Sequence, residues 1–188
     1  MPTPVGHSLI GLILYYSFFK RKKPGKWITL FLIIFVSILP DFDFLPGILV
    51  REPNKFHHGF SHSFGFALLL TGFIYLIETY ILHRKKEQYY LWFLILYSAH
   101  LIADYFAVDT RLPYGEPLFW PFFHGFFLFP YPFLLDVQRA DGLNRFFPSL
   151  FSRHNLLTIL WEIGFSLILW FAIKVLFKKS WRRGSVIS

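Results

Sequence analysis

Five apolar segments dominate this chain and commit it to a membrane. They cover residues 5–19, 27–39, 64–82, 89–108 and 156–177. A spanning helix needs about 20 residues, a length that the last three reach. The first two are shorter. Segment one gains length by starting at Pro2, and segment two by running on into PDFDFLPGILV; a thin bilayer with little tilt then suffices. Five spans are the expectation, with four spans and one peripheral segment as the alternative. Polar material is too scarce for a soluble domain of this size: 55% of the 188 residues are hydrophobic, 26 are Phe and 16% are charged. The reading is an all-α, polytopic membrane helix bundle, a single domain over 1–188.

Charge sets the orientation. The net charge is +8, which in a soluble chain would suggest nucleic acid. Here the cations sit beside apolar runs. Lys20, Arg21, Lys22, Lys23 and Lys26 join segments one and two. Arg84, Lys85 and Lys86 join three and four, and Lys178, Lys179, Arg182 and Arg183 follow the last. Five alternating spans put all three clusters on one side, the cytosol by the positive-inside rule. No nucleic-acid partner is expected. The chain has no cysteine, so disulfides and thiolate ligands are excluded. MPTPVGHSL lacks a basic n-region and does not read as a cleaved signal.

This topology leaves the N-terminus, the 40–63 connection and the 109–155 connection outside. The last contains LPYGEPLFWPFFHGFFLFPYPF. Prolines at 113, 117, 121, 130 and 132 argue against one continuous helix. Its aromatic content argues against water, so it is expected to be an irregular cover in the interfacial belt.

The same topology gathers imidazoles and carboxylates at the outer face. His100 and Asp104 are four apart in a helical pattern and share one side of it. A charged Asp within a span is costly and reads as functional. Asp41 and Asp43 follow Pro40 at the end of an apolar run, where the helix dipole disfavours carboxylates. His57, His58 and His62 precede segment three. His58 and His62 are four apart, with Ser61 or Ser63 available as a helix cap; adjacent His57 and His58 would point about 100° apart on a helix, so one of them is expected to bind. His7 lies near the outer end of segment one. Glu162 lies in the outer half of the last segment and needs a metal, His154 or Arg153 as partner. Glu78 sits deeper and reads as a polar contact, His83 as interfacial polarity, and His124 as a residue of the cover. Arg51, Lys55, Arg111, Arg139, Arg145 and Arg153 lie in the outer connections, where a cation near a metal would suit a phosphate.

GHSL at 6–9, LPDFD at 39–43, HHGFSHS at 57–63, HLIAD at 100–104 and GEPLFWP at 115–121 resemble the YdjM-type family of inner-membrane-associated metal-dependent hydrolases. The resemblance covers roughly the first two thirds of the chain. It carries the family's Gly-His onto Gly6 and His7, its Pro-Asp-x-Asp onto Pro40, Asp41 and Asp43, and its His-x-x-x-Asp onto His100 and Asp104. The family's His-Arg-Gly-x-Thr/Ser-His falls on His57, His58, Gly59, Ser61 and His62. His58 departs from the arginine at that position, which makes His57 the expected ligand. Phe44 stands where relatives often carry a histidine. The order of ligands is also similar, more distantly, to the zinc-dependent phospholipase C and P1 nuclease group, although that group's second His-x-x-x-Asp/Glu has no match here.

The resulting expectation is a multi-pass protein of the cell (inner) membrane with its site on the extracytoplasmic face. Zinc, or another divalent ion such as manganese, would be held by His7, Asp41, His57, His62, His100 and Asp104. Asp43 and Asp104 would serve catalysis. A metal-activated water would hydrolyse a phosphoester or phospholipid. The alternative is a non-catalytic metal-binding or partner-binding membrane protein.

Overall fold

A computed structural model of the chain describes residues 1–18, 26–81, 83 and 87–177. It is an all-α bundle. Its helices are α1 (Pro4–Phe18), α2 (Lys26–Ile38), α3 (Phe44–Leu49), α4 (Phe64–Leu76), α5 (Glu87–Tyr105), α6 (Leu143–Leu150) and α7 (Arg153–Leu176). The basic clusters at 20–23, 84–86 and 178–183 lie outside the described residues.

Among the described residues, three stretches are long and apolar enough to cross a membrane: Trp27–Leu49, Phe64–Ile81 and Arg153–Leu176. The first of these joins α2 to α3. Pro40 has no N–H for the helix ladder, so the chain tightens into a 3₁₀ turn over Leu39–Asp43 and then resumes as α3. Asp41 and Asp43 therefore sit in a break within an apolar stretch. The second stretch adds a π turn, Ile77–Ile81, to α4. Glu78 on that turn accepts from the Tyr90 hydroxyl at 2.7 Å.

Helix α1 packs on α2, α5 and α7, and α5 also packs on α2 and α4. Ile33, Val36, Trp92 and Leu96 form one buried cluster between α2 and α5. Ala67, Tyr97 and Leu101 form another between α4 and α5, closed by Leu118 from the cover. The outer faces are also apolar: Leu68, Leu69 and Phe73 of α4 and Leu157, Leu160 and Leu167 of α7 are all more than half exposed. Water would penalise such faces, and lipid would not.

The 109–142 segment is irregular and tied down through its backbone. Glu116 and Phe127 exchange N–H···O bonds of 2.9 Å, Phe64 N–H donates to Leu118 at 2.9 Å, and Val137 N–H donates to Met1 at 3.1 Å. The expected cover over 109–155 is interrupted at its end. Leu143–Leu150 is the short helix α6, and α7 starts at Arg153, capped by the Ser152 hydroxyl, rather than at Leu156. Helix α6 buries Phe146 and exposes Arg145, Phe147 and the following Phe151, a pattern suited to a headgroup boundary.

Candidate metal centre

Helix ends converge at one end of the bundle. His7 comes from the start of α1, Asp41 from the break after α2, and His62 from the 3₁₀ turn Phe60–His62 before α4. His100 and Asp104 come from the last turns of α5. His100 Nε2 lies 2.9 Å from Asp104 Oδ2 and 3.7 Å from Asp41 Oδ1. His62 Nε2 lies 3.7 Å from the same Asp41 oxygen and 3.8 Å from Asp104 Oδ2. His7 Nε2 is 3.4 Å from Asp104 Oδ1, and its ring stacks on that of His100 at 3.6 Å. Three overlapping groups have ligand atoms within 4.8 Å of one another: His7, Asp41 and His100; Asp41, His57 and His62; and His62, His100 and Asp104.

Neighbouring groups orient the rings. His100 Nδ1 is 2.7 Å from the Ser37 carbonyl. A carbonyl only accepts, so Nδ1 carries the hydrogen and the Nε2 lone pair faces the cluster. His62 Nδ1 is 3.1 Å from Asp43 Oδ2, and His57 Nδ1 is 2.8 Å from Asp43 Oδ1. Ser61 Oγ donates to the same carboxylate at 3.2 Å. Phe44 stacks on His57 at 3.9 Å. Burial, together with the neighbouring His58 and Arg139, keeps the His57 imidazole well below its usual pKa. Burial opposes protonation of His62 as well, but the carboxylates around it, Asp43 and Glu116 first and Asp41 beside them, outweigh it and raise that pKa.

The donor set fits a divalent ion. Both ring nitrogens of His7, Nε2 of His62 and His100, and both oxygens of Asp41 and Asp104 are buried without a hydrogen bond among the described residues. Buried polar atoms are normally paired. A single cation among these atoms would satisfy imidazole lone pairs and carboxylate oxygens together, and the mixed nitrogen–oxygen set suits zinc or manganese.

His58 goes elsewhere. It adopts φ +60, in the left-handed region that side chains seldom enter. It is not on one helix with His62, because 57–58 is a turn and the α-helix begins only at Phe64, capped by Ser63. Its Nδ1 lies 3.4 Å from Asp109 and its Nε2 3.3 Å from Glu116. Neither carboxylate stands out in the sequence, since each lies in the irregular cover, where an acid in water costs nothing. The only pointer to Glu116 is its place in GEPLFWP. Burial works against ionisation of Asp109, but hydrogen bonds from His58 and the Gly115 N–H hold its carboxyl down to about 2. Burial raises the Glu116 pKa despite nearby His58 and His62.

Glu162 has a different task. It accepts the Thr3 N–H at 2.5 Å and the Thr3 hydroxyl, tying α7 to the start of α1. His154 bonds the Asp136 carbonyl at 2.9 Å, and His124 is exposed. Of the outer cations, Lys55, Arg111 and Arg139 line a cavity of 330 Å³ whose wall includes His57 and His58.

No curated protein and no solved structure is significantly similar to the chain. The YdjM inner membrane protein family matches residues 1–187, well beyond the two thirds covered by the motifs. With the ligand motifs gathered at one end of a membrane bundle and a match over nearly its full length, the chain belongs to the YdjM inner membrane protein family.

Proposed function

We propose that the protein is a multi-pass, metal-dependent hydrolase of the cell (inner) membrane, acting on a phosphoester at the extracytoplasmic face. The observation that supports this most is the set of buried His and Asp atoms without hydrogen bonds that converge from α1, the break after α2, the turn before α4, and α5. His7, Asp41, His57, His62, His100 and Asp104 would hold one or two ions, zinc or another divalent metal such as manganese. When bound, the metal would supply a water of lowered pKa and polarise the bond under attack.

The chain's own groups have separable tasks. Asp43 holds His57 and His62 in their tautomers, and it is the carboxylate that would accept a proton from the reacting water. Asp104 faces His7 with one oxygen and His100 and His62 with the other, so both oxygens would be available to hold metal. Lys55, Arg111 and Arg139 favour an anionic substrate in the adjoining cavity. Five crossings are supported by chain direction. Helices α1, α4 and α7 begin at the site end, while α2 and α5 finish there.

The test is metal content and phosphate release by detergent-purified protein, for wild type, His100→Ala and Asp104→Asn. Stoichiometric metal and turnover in wild type, both lost in the variants, is the expected result. Metal without turnover on any phosphoester would leave a non-catalytic metal-binding protein. No metal after reconstitution with zinc or manganese would end the hydrolase reading.

A further inference from the structure

Arg139 is the buried one of the three cations that line the cavity beside the candidate metal centre. It is 8% exposed. Its Nε donates to Asn54 Oδ1 at 3.0 Å, and its guanidinium lies 5.1 Å above the Phe44 ring. Among the described residues, no carboxylate comes within ion-pair distance of it; the nearby Asp141 is taken by Arg111 and Asn54. A buried cation without a direct ion pair is costly; the Asp41, Asp109 and Asp43 carboxylates offset this only from beyond ion-pair distance, which leaves the guanidinium open to an anion from outside.

Two cavities meet at this side chain. One is the polar cavity of 330 Å³, with Lys55, Arg111, His57 and His58 in its wall. The other, of 250 Å³, is apolar. Ile38, Phe42 and Phe44 form one side, and Phe146 and Leu150 of α6 the other. Arg139 lines both. Asp41 of the candidate metal centre also lines the apolar one. A charged centre with a polar chamber on one side and a greasy one on the other matches a molecule with a phosphate at the end of a hydrocarbon chain. A soluble phosphoester would leave the apolar chamber to water.

We infer that the substrate is a lipid phosphate whose phosphate pairs with Arg139 and whose hydrocarbon chain fills the Ile38–Phe42–Phe44–Phe146–Leu150 cavity. This rests on the hydrolase reading for what happens next, but the binding itself does not. Helix α6 lines the apolar chamber with Phe146 and Leu150 and exposes Phe147 and the following Phe151. That places access to the chamber beside the lipid boundary.

The experiment is equilibrium binding to the detergent-purified full chain, read by native mass spectrometry, with hexadecyl phosphate, hexadecanol and inorganic phosphate as probes. Hexadecyl phosphate is expected to bind at least tenfold tighter than either of the others. Arg139→Gln should remove most of its advantage over hexadecanol, and Arg139→Lys should restore part of it. Leu150→Trp should weaken hexadecyl phosphate at least tenfold more than inorganic phosphate, with Ile38→Phe as the second groove-filling variant should the first fail to fold. A series of alkyl phosphates from four to sixteen carbons on the wild type requires no substitution; affinity should rise with length. Inorganic phosphate as tight as hexadecyl phosphate, affinity flat across the series, or Arg139→Gln without effect would each overturn the inference. Lipid-phosphate binding of the expected pattern in a protein that holds no metal would overturn the hydrolase reading alone.

Discussion

Asp43 touches three side chains with one carboxylate. One oxygen meets His57 Nδ1, and the other meets His62 Nδ1 and the Ser61 hydroxyl. Each of the two contacts to a histidine fixes which nitrogen of the ring is left with a lone pair. Asparagine at this position keeps the size but offers a single acceptor oxygen, so one of the two imidazoles loses its hold. Asp43→Asn should weaken metal affinity about 10- to 100-fold, the usual range for such supporting carboxylates. A competition titration against a chelator measures it, with an unchanged helical circular-dichroism spectrum as the control. Affinity equal to wild type would remove Asp43 from the site. The five convergent residues His7, Asp41, His62, His100 and Asp104 are legible in the sequence because a charge or imidazole inside or beside an apolar run is costly and rarely idle. Asp109 and Glu116 are not. Their burial depends on how an irregular segment folds back over His58, and no spacing rule reports that.

The cover over 109–142 lacks a helix of its own and is held by single anchors. Asp109 is a central one: it accepts the Gly115 N–H at 2.7 Å and the Arg111 N–H at 3.0 Å, and faces His58. Its carboxyl is held down to about 2, against an ordinary value of about 3.9. A folded pKa below the unfolded one contributes its full stability where the group is ionised in both states, and that contribution is lost as pH falls through the folded pKa. The contribution is complete above about pH 5 and fades as pH falls from about 4 through 2. It is worth at most about 2 kcal/mol once solvent screening is allowed for. Wild type should therefore lose protection of the cover against proteolysis across that window. Asp109→Asn should already be less protected at pH 7 and lose less on acidification. Equal acid sensitivity in both proteins would assign the loss to other carboxylates. At this scale the apolar runs foretell most of the helices, and Pro40 foretells the break that carries Asp41. The i,i+4 spacing of His58 and His62 misleads, because the local pattern does not reveal that the chain turns through a positive φ at His58 before α4 starts.

The whole molecule is polarised along the bundle. The centre, the cover and the start of α1 share one end, where the Met1 ammonium donates to the Val108 carbonyl at 3.0 Å. An odd number of crossings would put the C-terminal tail at the opposite end. The basic clusters that orient the bundle would then lie in connections and the tail at that far end, so the positive-inside rule favours an outer position for the candidate metal centre. The chain contains no cysteine, which makes single-cysteine labelling direct. Leu112 is 79% exposed on the cover at the mouth of the polar cavity, and Ser185 lies in the tail. In right-side-out membrane vesicles, Leu112→Cys should react with a membrane-impermeant maleimide at once, and Ser185→Cys only after the vesicles are opened. The reverse pattern would turn the centre toward the cytosol and make the substrate a cytosolic one. Labelling of both from the same side would mean an even number of crossings. One of the helices outside the three long apolar stretches, α1 or α5, would then lie in the interface instead of spanning it.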